Sequence, residues 1–145
     1  MAVRMELSRI LIREFNDYQI IELREVLGEN ADQPELGRSF PIVIGLPEAQ
    51  AIERRLKGVA IKRPQTHDLL ANVIEQLGGT LESITVNDLQ EGTFFATLDV
   101  RRDGEIVRID SRPSDAIALG IAGGVPIYVA EHVLDAAAKD EPDGV

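Results

Sequence analysis

The sequence contains no cysteine and no tryptophan, and aromatic residues make up only 4% of its 145 positions. Without cysteine there is no disulfide framework, no thiolate zinc site, no iron–sulfur cluster and no thiol nucleophile. Two histidines, His67 and His132, are too few for a histidine-rich metal centre. No apolar run approaches the ~20 residues needed to span a bilayer as a helix. The opening Met1–Glu6 lacks the apolar region of a signal peptide, which makes the cytoplasm the expected compartment. With so few aromatics, the core has to be assembled from Ile, Leu, Val and Ala.

Positive charge is also scarce: 15 Lys and Arg against 25 Asp and Glu, net −10. Nucleic-acid binding draws much of its affinity from counterions released by Lys and Arg contacts. So acidic a chain is expected to bind nucleic acid weakly unless its basic residues are concentrated or a divalent cation intervenes. The deficit lies mostly beyond residue 60, and five acids against one base fall between Glu131 and Val145. The last stretch, 139–145, reads as an acidic flexible tail on a domain of residues 1–138.

Against these absences stands an ordinary globular composition, 44% hydrophobic and 28% charged, sized for one domain. Val3–Leu7 alternates apolar and charged residues as a half-buried strand does, and a second strand is expected over Tyr18–Leu27. Residues 28–37 have loop composition. Phe40–Ile44 reads as a strand near a sheet edge, because Pro41 has no donor for a ladder. Pro47 opens a helix that Gly58 closes, with Ala49, Ile52 and Leu56 on its apolar side. A second helix follows Pro64, with Thr66 as its expected cap, a wide apolar face from Leu69 to Leu77, and Gly78-Gly79 as its stop.

Leu81–Leu89, Phe94–Val100 and Ile106–Ile109 are joined by Glu91-Gly92 and Asp103-Gly104, the sequence of an antiparallel three-strand meander. A third helix over Pro113–Ala122 is apolar nearly all round and therefore expected to be buried. Pro126–Ala130 is the final strand and Glu131–Ala138 a short last helix. The fold class expected is α+β: one compact domain with an antiparallel or mixed sheet, the meander, and three to four helices.

Two segments share a design: Lys62-Arg63-Pro64-Gln65-Thr66-His67-Asp68 and Asp110-Ser111-Arg112-Pro113-Ser114-Asp115. Each sets Arg-Pro before a helix and an aspartate in its first turn. Helix starts present unpaired N–H groups and partial positive charge, which suits a phosphate, and an arginine adds paired donors. Carboxylates there are hard ligands for Mg²⁺ or Mn²⁺. If the two starts meet, Asp68, Asp110 and Asp115 are candidate metal ligands. Arg63, Arg112, Ser111 and Ser114 are then candidate phosphate-binding groups, and His67 a candidate general base or acid.

The plainer explanation is that such residues simply cap helices, which is the more frequent use of this pattern. His67 and Asp68 are neighbours and do not face each other on a helix. Ser111 and Ser114 sit in no Gly-x-Ser-x-Gly elbow, and the chain has no P-loop, dinucleotide fingerprint or His-Glu-x-x-His. Arg54-Arg55-Lys57 with Lys62-Arg63 is the densest basic patch; helix-surface charges are usually a solvated face, though this one lies just upstream of the first segment. No aromatic platform accompanies that patch, so binding by stacked bases is not expected there.

Arg63–Leu70 and Asp110–Leu119, followed by Pro126-Ile127-Tyr128-Val129, resemble the bifunctional nuclease domain family in order and spacing, over roughly residues 3–135. The resemblance implies a compact α+β domain with RNase and DNase activity that associates as a homo-oligomer, most simply a homodimer. It supplies no catalytic residue set, so the roles given above rest on chemistry. Gly120 departs from an alanine frequent in similar sequences, and close helix packing is its expected reason. The function expected is a divalent-metal-assisted nuclease of low sequence specificity. The alternative is a non-catalytic oligomeric regulatory or scaffold module that binds a phosphate-bearing ligand or a protein partner.

Overall fold

A computed structural model of the chain describes residues 2–13, 15–26 and 37–139. In chain order its elements are β1 (Ala2–Leu11), β2 (Gln19–Glu25), β3 (Ser39–Ile44), α1 (Leu46–Lys57) and α2 (Thr66–Gln76). These are followed by β4 (Thr80–Gln90), β5 (Thr93–Arg102), β6 (Glu105–Ser111), α3 (Pro113–Gly120), β7 (Ile127–Ala130) and α4 (Glu131–Lys139). A 3-10 turn, Ile121–Gly123, shortens the third helix relative to expectation. The expected loop over 28–37 lies outside the described residues up to position 36, as does the acidic tail from position 140.

The strands form one mixed sheet in the order β3-β2-β1-β7-β4-β5-β6. Among the described residues only β4 and β7 pair in parallel, and the other strand pairings are antiparallel. β3 is an edge strand, consistent with Pro41 having no ladder donor. The meander forms as read, with both connecting turns left-handed at each central residue: Glu91 and Gly92 at φ 51° and 81°, Asp103 and Gly104 at 51° and 80°. That geometry follows the right-handed twist of the flanking strands and favours glycine at the second position.

Alternate strand residues face the helices and build the core. Met5, Ile21, Leu23, Phe40, Val86 and Val129 meet Ile52 of α1, Ile117 of α3 and Leu134 of α4. A second cluster joins Ile84, Leu98 and Val100 to Ala116 and Leu119, with Ala71 and Ile74 of α2 packed against it. All four helices thus cover one face of the sheet. Seven of the eight residues of α3 are buried, as its all-round apolarity predicts. The close approach expected at Gly120 is present: a Cβ there would lie 2.7 Å from Ile84 Cδ1 and 2.9 Å from Val125 Cβ. Among the described residues no helix is long and apolar enough to cross a membrane.

Two local expectations need correction. Leu56 is exposed, because α1 turns only Ala49 and Ile52 fully into the core. The cap of α2 is Gln65, not Thr66; Gln65 and Asp68 form a reciprocal capping box that ties off both backbone amides. The wide apolar face of α2 forms as read and lies open: no residue of this helix is buried, and Leu69, Leu70, Val73 and Leu77 are exposed.

Candidate functional site

Pro47 of α1, Gln65 and Thr66 of α2, and Arg112 of α3 stand in the opening turns of three different helices, and all line one cleft of about 290 Å³. The two Arg-Pro segments therefore do converge, joined by a third helix start that carries the same signature of proline followed by an acid, Pro47-Glu48. That third signature was legible in the sequence and is what the motif comparison missed.

At the centre of the cleft, His67 Nε2 lies 2.9 Å from Asp115 Oδ1, and Arg112 Nε donates to Asp115 Oδ2 at 2.8 Å. Arg112 Nη1 is 3.5 Å from Glu48, and its Nη2 has no partner among the described residues. Asp115 thus gives both oxygens to side chains rather than to backbone amides, so it is not merely a helix cap. Burial opposes its ionisation, but the hydrogen bonds from Arg112 and His67 outweigh this and hold its carboxyl below the ordinary range. The His67 side chain is 14% exposed and that of Asp115 30%, so the pair is sheltered yet reachable by water.

Asp68 has a different fate from its neighbour, as the helical spacing required. It accepts from Arg54 Nη2 at 2.7 Å, from Arg55 Nη1 and from the Gln65 backbone amide at 3.0 Å. Burial resists its charge, but the Gln65 amide and the two guanidinium groups lower its pKa nonetheless. Within the basic patch Arg54 and Arg55 are therefore sheltered and paired, whereas Lys57, Lys62 and Arg63 form a solvated face. Arg55 also donates to the carbonyls of Ala118 and Leu119, closing the C-terminal end of α3 and locking α1, α2 and α3 together. Arg54 lines the cleft, where its buried Nε has no hydrogen-bond partner.

The remaining candidates are placed apart. Asp110 pairs across strands with Thr97, on the side of the sheet where Arg108 lies 3.9 Å from Asp99 and no helix packs. Strand alternation therefore aims its side chain away from His67, although Asp110 borders a second groove of about 580 Å³ that His67 and Asp115 also line. On that open face Asp99 is 6% exposed and accepts hydroxyl hydrogen bonds from Ser83, Thr85 and Thr97. Ser111 donates to the carbonyl of Arg112. Ser114 is buried beside a separate pocket, and Arg63 is exposed and lines neither the cleft nor the groove.

Among the described residues no three His, Asp or Glu groups gather where a cation is held. Asp68 and Asp115 each have both oxygens on guanidinium, imidazole or backbone amide groups, and the third carboxylate, Asp110, faces the other way. This donor set does not fit a resident Mg²⁺ or Mn²⁺. What it does fit is an anion. The cleft presents Arg54 and Arg112 beside helix starts, and His67 is oriented by a carboxylate to take or give a proton. Arg54, Arg55 and Arg112 against Glu48, Asp68 and Asp115 make the cluster neutral, so protonation of His67 renders it net positive.

Helices on one face of a single mixed sheet, with three of their starts around a histidine–aspartate pair, define an α+β domain carrying one polar cleft. The chain belongs to the bifunctional nuclease domain family, whose model matches residues 26–142. An uncharacterised protein of Mycobacterium tuberculosis is 40% identical over 134 residues, spanning 92% of this chain and 75% of its own length. Bifunctional nuclease 1 of Arabidopsis thaliana is 25% identical over 100 residues, 67% of this chain and 31% of that protein. Bifunctional nuclease 1 of rice (Oryza sativa subsp. japonica) is 22% identical over 97 residues, 65% of this chain and 29% of its own. This chain therefore matches less than a third of either plant protein.

Proposed function

We propose that the chain is a cytoplasmic nuclease that hydrolyses phosphodiester bonds in RNA or DNA with little sequence preference, at the cleft where α1, α2 and α3 begin. The observation that carries this reading is Asp115 bridging His67 and Arg112. The carboxylate orients the imidazole, and the guanidinium keeps Nη2 for a phosphate oxygen. In the proposed step His67 Nδ1 takes the proton of the attacking water or ribose hydroxyl as its oxygen bonds to phosphorus. The bond from phosphorus to the leaving oxygen breaks, that oxygen takes a proton from solvent, and Arg112 stabilises the charge that develops on phosphorus-bound oxygen. Arg63 meets the substrate backbone outside the cleft. No step is routed through a metal, since the carboxylates are engaged. A divalent cation enters this reading only on the substrate's own phosphates, where it offsets the net charge of −10.

The test is cleavage of labelled single-stranded RNA and DNA by wild type and by His67→Ala purified in parallel, with and without Mg²⁺, Mn²⁺ and chelator. His67→Ala is expected to lose about 10²-fold or more in rate. Equal rates in the two preparations would show that the cleavage belongs to a contaminant or to other residues.

A second reading, an oligomeric module that binds a phosphate-bearing ligand or a protein partner without turnover, is favoured by the neutral balance of the cleft. Retained nucleotide binding with no single-turnover cleavage selects it. Under either reading the chain is a homodimer. Support comes from α2, an amphipathic helix with no buried residue that leaves Leu69, Leu70, Val73 and Leu77 exposed. Apolar surface gathered along one helix in this way is the mark of an interaction face.

A further inference from the structure

A pocket of about 500 Å³ lies on the other side of the Arg112–Glu48 contact, and those two residues line both it and the cleft. The far side is formed by Tyr18, from the segment before β2, and by Phe94 at the start of β5. Phe94 is held in place by stacking on Phe40, with ring centroids 5.4 Å apart, whereas Tyr18 is 54% exposed. Ser114, at the second position of α3, is 4% exposed and lines this pocket, and its hydroxyl has no hydrogen-bond partner among the described residues. The first backbone bond of α3 runs from Ala116 to Arg112, so the amides of Ser114 and Asp115 have no partner within the helix.

We infer that this pocket is a nucleoside subsite, which takes the sugar and base attached to a phosphate held at Arg112. The inference rests on the nuclease reading and names the part of the substrate that reading leaves unplaced. Contiguity is the first reason: a group bonded to a phosphate on Arg112 passes directly across the shared wall. Charge is the second. Asp17 and Glu48 line the pocket, which makes it hostile to a second phosphate and suited to the exocyclic amino groups of a base. The third is the lining itself. Tyr18 and Phe94 present aromatic surface to a base, and the Ser114 hydroxyl on the lining offers one directional hydrogen bond, the usual make-up of a small-ligand site.

Calorimetry on the full chain with adenosine 5′-monophosphate and with inorganic phosphate as separate probes tests this. Adenosine 5′-monophosphate is expected to bind about tenfold more tightly than phosphate. Tyr18→Ala should weaken the nucleotide about fivefold or more, the low end for loss of a stacked base, while phosphate affinity stays within about twofold. Ser114→Ala, checked by circular dichroism, should weaken the nucleotide as well. In cleavage assays Tyr18→Ala should raise KM and leave kcat unchanged. Equal affinity for the two probes, no measurable nucleotide binding, or indifference to both substitutions would overturn the subsite. Tyr18-dependent nucleotide binding without any cleavage would support the subsite and refute the nuclease reading, whereas cleavage with equal probe affinities would do the reverse.

Discussion

Asp115 Oδ1 meets His67 Nε2 at 2.9 Å across 48 residues of chain, while Asp68, next to His67 in sequence, is turned to Arg54 and Arg55 on another side of the same helix. Two aspartates in equivalent first-turn positions therefore have unlike work. One positions a titratable ring in a cleft, and the other binds helices together.

Asp115→Asn separates these roles at the cleft. The amide keeps the shape but cannot stabilise an imidazolium, so cleavage is expected to fall by about 10²-fold with the thermal midpoint little changed. The informative readout is the split between kcat and KM: kcat should carry the loss while KM stays within about twofold, and an unchanged kcat would remove Asp115 from any positioning role.

Asp68→Asn should act on stability. It leaves Arg54 and Arg55 in largely buried positions without their counter-ion, a loss of about 3 kcal/mol in urea unfolding. The folded pKa of Asp68 lies below its unfolded value. Its contribution is therefore full above the ordinary carboxylate range, near pH 4, and disappears as pH falls through the folded value. The stability gap between wild type and variant should shrink below pH 4 and stay constant from pH 5 to 8. A gap that widened on acidification would contradict the pairing.

Val73→Glu places a charge in the middle of the exposed apolar stripe of α2. Light scattering on the wild type should report twice the chain mass of 15.9 kDa, and the variant a single copy. Because Val73 is already exposed, the folded monomer should survive the change. A wild type that is monomeric at micromolar concentration would remove the homodimer reading.

Much of the fold was legible because it is written in local chemistry. Asp103-Gly104 and Glu91-Gly92 demand left-handed turns, Pro41 marks an edge, and Gly58, at φ 65°, ends α1. The unbroken apolarity of Ala116–Gly120 calls for burial, and all five residues are buried. The site was half legible: Arg-Pro with a first-turn acid correctly marked the helix starts that line the cleft. What was left open depends on facing: whether Arg54 and Arg55 meet water or a carboxylate, and whether the apolar face of α2 is covered. Strand parity that separates Asp110 from His67 is visible only once β6 is in register with β5.

Taken alone, the order of residues determined the elements and the kinship, since turn geometry, capping and apolar periodicity act within a few bonds. Only the tertiary structure decided which charges meet. Whether a guanidinium faces water or a carboxylate 14 residues away, and whether Tyr18 comes to line one pocket with Arg112, is set by how helices lie on the sheet. Electrostatic contacts form between surfaces that packing brings together, and that packing minimises exposed apolar area without regard to distance along the chain.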